Sequence, residues 1–162
     1  MVFPEGILML VLTSLVVSAL GWKKFLYFIS LGYGFSIAAM GLVMMVMYRA
    51  SLALHTLLLA LLLMAYGIRL GGFLLHRELR STSYRKELPS LTKSSHEMGV
   101  GVKCAVWISV VVLYVCQVSP VFYRLDNASA GGELWAYVGA GVMLLALILE
   151  SVADHEKSAA KK

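Results

Sequence analysis

The chain has 162 residues, of which 60% are hydrophobic and only 14% are charged, and its formal net charge is +5 at pH 7. So apolar a composition excludes an ordinary water-soluble domain, whose surface needs more charged residues. It therefore predicts that lipid, rather than water, surrounds most of the protein.

Five apolar stretches follow one another along the chain, each close to the roughly 20 residues that a membrane-crossing helix needs. They are residues 6–21, 25–48, 52–76, 100–120 and 134–153. A membrane β-barrel would show alternating segments of about ten residues instead. Because backbone groups in lipid must be hydrogen-bonded internally, we predict one all-α domain, a polytopic bundle of about five transmembrane helices.

Lysines and arginines, which favour the cytoplasmic side of short loops, predict the orientation of these helices. Eleven of the fourteen fall on one face: between the first two helices, in or beside the loop 77–99, and in the tail. Arg49 and Arg124 fall on the other face, and Arg69 lies within a helix. The N-terminus is thus predicted to be outside and the C-terminus inside, in the endoplasmic reticulum, an organelle or a bacterial inner membrane.

Neither a metal site nor a nucleic-acid-binding surface is predicted. The four histidines are scattered and form no pair at the i, i+4 spacing of a helical metal site. The basic residues are explained by topology and lack the interleaved aromatic residues of a nucleic-acid-binding face. Membrane lipids are therefore the predicted partners of the basic residues.

Small residues recur four positions apart in the first three predicted helices. The pairs are Ser14 and Ser18, Gly32 and Ser36, and Gly67 and Gly71. This spacing lets helix backbones approach closely in lipid, and we expect the pairs to lie at helix–helix contacts.

One face of the third predicted helix combines aromatic and basic residues at helical spacing. Its members are Tyr66, Arg69, Phe73, His76, Arg77 and Arg80. Because a charge inside a membrane is costly and usually faces the bundle interior, Arg69 is a candidate site residue. The alternative is that the long side chain of Arg69 reaches the lipid headgroups.

A second face, at the end of the fifth predicted helix, carries charges of both signs. Its members are Glu150, Asp154, Lys157 and Lys161. Helices three and five run in the same direction in the predicted topology, so Arg69 and Glu150 should reach a similar depth. We predict that these two residues form an ion pair or share a polar partner, and such a pair could be structural or catalytic.

Three segments, in this order, resemble the steroid 5-alpha-reductase-like membrane oxidoreductases, especially their uncharacterised microbial and organellar relatives. The first is residues 66–86, with a Tyr-x-x-Arg pattern at Tyr66 and Arg69; the second is residues 117–125 and the third residues 150–159. The resemblance implies an enzyme that transfers hydride from NADPH to a conjugated double bond of a steroid or isoprenoid lipid.

The resemblance also implies roles for particular residues. Tyr66 would correspond to the tyrosine that hydrogen-bonds the substrate carbonyl, which stabilises the enolate formed on hydride addition. The substrate or lipid would be contacted by Arg69, Phe73, His76 and Arg77. The bound dinucleotide would lie beside Glu150, Asp154 and Lys157.

Two departures from the family change this expectation. Relatives continue into a second half that carries most NADPH contacts, and residues 25–48 lack the glutamate that partners the substrate tyrosine. We therefore expect no cofactor at this length, and a noncatalytic, lipid-contacting accessory subunit of a larger membrane complex with partner subunits. The alternative is part of an active NADPH-dependent reductase of enone lipids, whose cofactor half is not in this chain.

Overall fold

The computed structural model describes most of the chain. The described ranges are residues 6–22, 25–80, 99–127 and 131–159. Every regular element within them is a helix, so the predicted all-α class is confirmed. Most of the predicted loop 77–99 lies outside the described residues.

Five α-helices follow in chain order. They are α1 (Gly6–Ser18), α2 (Leu31–Met47), α3 (Leu54–Arg80), α4 (Val100–Asp126) and α5 (Glu133–Ala159). Two short 3₁₀ helices, Ala19–Trp22 and Phe25–Phe28, come between α1 and α2.

Three of the described helices, α3, α4 and α5, are long and apolar enough to cross a membrane. At about 1.5 Å per residue, the 27 residues of α4 span about 40 Å, more than the roughly 30 Å hydrocarbon core. The other two, α1 with its 3₁₀ extension and α2, are apolar but shorter. The chain is thus a helical membrane protein, while the five crossings and their orientation stay predictions.

Contacts between helix ends show that α2 and α4 run in the same direction. At one end, Tyr48 after α2 donates a hydrogen bond of 2.8 Å to Asp126 at the end of α4. At the other end, Trp22 packs edge-on against Trp107, near the start of α4, with ring centroids 5.7 Å apart. We call the first the Arg124 end and the second the Asp154 end of the bundle.

The second helix begins later than predicted, at Leu31 instead of residue 25. The Phe28 carbonyl oxygen would accept a helical hydrogen bond from Gly32 in a continuous helix, but it accepts one from the Tyr114 hydroxyl. The buried Phe28 ring packs on Gly21, where a Cβ atom would have no room. The chain therefore turns before α2, and α4 satisfies a backbone group that the turn leaves free.

The fourth helix ends later than predicted, since α4 passes through Pro120 to Asp126. Proline has no amide hydrogen, so the carbonyl of Cys116 loses its helical donor. The Ser119 hydroxyl donates to that carbonyl at 2.7 Å. This bond allows the helix to continue in a region where an unsatisfied carbonyl would be costly.

The backbones of α2 and α3 approach each other closely at glycines. A Cβ atom on Gly34 would lie 2.5 Å from the Gly71 nitrogen, and one on Gly67 would lie 2.5 Å from the Ala38 nitrogen. The predicted role of the Gly67 and Gly71 pair in helix packing is confirmed. On its other side α3 packs against α5, whose remaining surface is largely exposed.

Candidate functional site

Three polar side chains from three helices meet within the bundle. Tyr33 of α2 lies with its hydroxyl oxygen 3.0 Å from that of Tyr66 on α3. Tyr33 also donates a hydrogen bond of 2.8 Å to the Oε1 atom of Gln117 on α4. We call these three residues the tyrosine–glutamine cluster.

The direction of these hydrogen bonds shows which donors the tyrosine–glutamine cluster could offer to a ligand. A tyrosine hydroxyl has one hydrogen, and that of Tyr33 is directed to Gln117. Tyr66 must then donate to Tyr33, so both hydroxyl hydrogens are used within the cluster. The Gln117 amide nitrogen is a further hydrogen-bond donor, and its side chain is exposed. A bound acceptor group can therefore be held by Gln117, or by Tyr66 after it turns from Tyr33.

Aromatic neighbours hold Tyr33 in place. Its ring packs edge-on against Tyr66, with centroids 6.4 Å apart, and is tilted against Tyr114 at 5.2 Å. Tyr114 is almost completely buried in the core, so it forms a fixed support for Tyr33. The position of the tyrosine–glutamine cluster is thus set by the packing of α2, α3 and α4.

Arg69 lies one helical turn beyond Tyr66 and forms two ion pairs with α5. Its Nη1 atom lies 3.0 Å from Glu150 Oε2, and its Nη2 atom donates a hydrogen bond to Asp154 Oδ2. The predicted pairing of Arg69 with Glu150 is confirmed. Because only 20% of the Arg69 side chain is exposed, the arginine faces α5 within the bundle. We call these three residues the Arg69–acid cluster.

The Arg69–acid cluster carries one more negative charge than positive charges, because one guanidinium faces two carboxylates. Although Arg69 Nη1 is close to Glu150, its N–H groups are not aimed at that oxygen and find no partner among the described residues. The buried Nη1 atom is therefore a donor without a hydrogen bond beside a surplus negative charge.

The other predicted site residues lie outside these two clusters. Phe73 is half-buried, whereas His76, Arg77 and Lys157 are exposed near the Asp154 end. In the described part of the chain, no hydrogen bond or ion pair joins His76 or Lys157 to the Arg69–acid cluster. The predicted lipid and cofactor roles of these residues stay predictions.

Two members of the tyrosine–glutamine cluster, Tyr33 and Gln117, were not predicted as site residues. Tyr33 lies in a helix that lacks acidic and basic residues, and Gln117 stands alone in an apolar stretch. The useful signal is that each is a hydrogen-bonding residue in a membrane helix, where such groups need partners.

A comparison with protein families places both clusters within the range matched by one family model. The chain matches the model of the family described as "Protein of unknown function (DUF1295)" over residues 17–162. No curated protein and no solved structure matches the chain. The matched range includes α2 to α5, and thus every residue of the two clusters.

Proposed function

The chain belongs to the DUF1295 family of uncharacterised membrane proteins, and from this premise we propose that it is a noncatalytic, lipid-binding subunit of a larger membrane complex. Its tyrosine–glutamine cluster would hold the polar end of an enone lipid, meaning a lipid with a carbonyl group conjugated to a double bond. The observation that supports this most is the meeting of Tyr33, Tyr66 and Gln117 at 2.8 and 3.0 Å.

The chemistry of the cluster supports a carbonyl ligand. A carbonyl oxygen only accepts hydrogen bonds, and the donors that the cluster can offer it are the Gln117 amide and, once it turns from Tyr33, the Tyr66 hydroxyl. The surrounding helices supply apolar side chains for the rest of a lipid. The steroid reductase resemblance assigns carbonyl binding to the same residue, Tyr66, on independent grounds.

We expect Tyr66→Phe and Gln117→Leu each to weaken binding of a steroid enone, such as cholest-4-en-3-one, by up to about tenfold. Each substitution removes one hydrogen bond to the ligand carbonyl. Binding can be measured by titration of the purified chain in detergent. Tyr123→Phe is the matched control, because Tyr123 is an exposed tyrosine on α4 near the Arg124 end. This variant should bind the enone as the unmodified chain does. Equal binding of the enone and its carbonyl-free hydrocarbon analogue would contradict the proposal.

A second candidate function is the reductase, and the position of Tyr33 favours it. On its second helix, this chain lacks the glutamate that partners the substrate tyrosine in the steroid reductases. In this chain, α2 supplies Tyr33 as the hydrogen-bond partner of Tyr66. A polar partner at this place would orient Tyr66 toward a substrate carbonyl.

Two of the three residues predicted to contact NADPH, Glu150 and Asp154, argue against that role. Glu150 and Asp154 are both engaged by Arg69, and their surplus negative charge would repel the phosphates of a dinucleotide. This arrangement supports the noncatalytic proposal over the reductase, since hydride transfer would need a dinucleotide site elsewhere.

We expect the purified chain to show no saturable binding of NADPH, because the Arg69–acid cluster disfavours its phosphates. Fluorescence titration with NADPH measures this binding, and loss of nicotinamide absorbance with an enone present measures turnover. Saturable binding that is abolished by Asp154→Asn or Lys157→Met would revive the reductase candidate.

A further inference from the structure

An arginine at the Arg124 end of the bundle joins three helices. Arg124, in the last turn of α4, donates from Nη1 to the carbonyl oxygen of Gly131, just before α5, at 2.6 Å. Its Nη2 atom lies 3.2 Å from Nε2 of His55, in the first turn of α3. Because arginine can only donate, His55 must accept through Nε2.

This guanidinium has no anionic partner among the described residues. Glu150 and Asp154 are paired with Arg69, away from Arg124. Asp126, two residues further along α4, accepts its hydrogen bond from Tyr48 at 2.8 Å instead. The Arg124 Nε atom is buried and has no hydrogen-bond partner in the part of the chain that the structure describes. A half-buried positive charge that is hydrogen-bonded only to neutral groups lacks the negatively charged partner that such charges usually have.

The depth of Arg124 in the bundle indicates where an anion would come from. Arg124 lies about 11 residues from the middle of α4 (Val100–Asp126), which at about 1.5 Å per residue is about 16 Å. Half of the hydrocarbon core is about 15 Å thick. When α4 is centred in a bilayer, Arg124 therefore lies at the edge of the hydrocarbon core, from which its long side chain can reach the headgroup phosphates.

We propose that Arg124 binds a phosphate group at this end of the bundle. Two of its five N–H hydrogens are used by Gly131 and His55, and a planar guanidinium readily forms paired hydrogen bonds with phosphate oxygens. The phosphate comes either from a phospholipid headgroup or from free phosphate in solution. This site is separate from the tyrosine–glutamine cluster and does not depend on the proposed function.

The test uses the purified full chain in a phosphate-free maltoside detergent, with phosphatidylglycerol or inorganic phosphate added at constant ionic strength. Each probe that binds will raise the midpoint of thermal unfolding, because it binds only the folded state. We expect Arg124→Gln to bind about tenfold more weakly than the unmodified chain. Arg49→Gln is the matched control, since Arg49 is an exposed arginine at the same end. This variant should bind the probes as the unmodified chain does.

The two probes distinguish the sources of the phosphate. A rise with phosphatidylglycerol alone identifies a headgroup, and an equal rise with inorganic phosphate identifies a free-phosphate site. The proposal is overturned if neither probe stabilises the unmodified chain, or if Arg124→Gln and Arg49→Gln weaken binding equally. Should Arg124→Gln not fold, Arg124→Lys keeps the charge but loses the paired donors, and its binding should also be weaker than that of Arg49→Lys.

Discussion

Arg69→Met is expected to destabilise the folded protein by about 3 kcal/mol, because it leaves Glu150 and Asp154 as two uncompensated carboxylates between helices. Both lie close to Arg69 in the structure. The loss can be measured from the midpoint of thermal unfolding in detergent. Lys157→Met, which removes an exposed charge from the same end of α5, should change stability by less than about 0.5 kcal/mol.

Glu150→Met, alone and combined with Arg69→Met, should show that the losses of stability are unequal and do not add. Glu150→Met leaves Arg69 paired with Asp154, so its cost should be clearly smaller than that of Arg69→Met. The double substitution Arg69→Met with Glu150→Met leaves only Asp154 unpaired, so it should be more stable than Arg69→Met alone. Losses that simply add would show that Arg69 and Glu150 act independently, contrary to the geometry.

The sequence was sufficient to predict the Arg69–Glu150 pair, and the reason is physical. Charges inside apolar helices are rare and costly, so two opposite charges at a similar depth are expected to form a pair. Periodicity and the alternating direction of helices then place both near the same end. Periodicity also predicted Asp154 on the same face as Glu150, and Asp154 pairs with Arg69 as well. Its cofactor role comes from the resemblance and stays a prediction.

The tyrosine–glutamine cluster could not be predicted, because no local sequence pattern indicates that its three residues meet. Its members lie on three helices, far apart in sequence, and come together only through the packing of α2 against α3 and α4. The late start of α2 at Leu31 also changes how Tyr33 is presented, and it depends on the Tyr114 hydroxyl, which is provided by another helix. Helix boundaries set by such tertiary bonds cannot be read from hydropathy.

Glycine spacing, in contrast, predicted a helix contact correctly, and it leads to the second large effect. Gly67→Val is expected to destabilise the protein by about 3 kcal/mol or to prevent folding. A Cβ atom on Gly67 would lie 2.5 Å from the Ala38 nitrogen and 2.6 Å from the Gly34 oxygen. Both are backbone atoms, so no side-chain rotation can relieve the contact and α2 must move away from α3.

Gly72→Val separates this steric effect from the general effect of replacing a glycine. Gly72 is on the same helix, α3, and a Cβ atom there would have nothing within 4 Å. Valine also has a better helix propensity than glycine, so Gly72→Val should be neutral or slightly stabilising. Thermal unfolding in detergent compares the two variants directly. If both lost stability equally, the cause would be a property of α3 itself, such as its insertion into the membrane, and close packing with α2 would not explain the glycine at position 67.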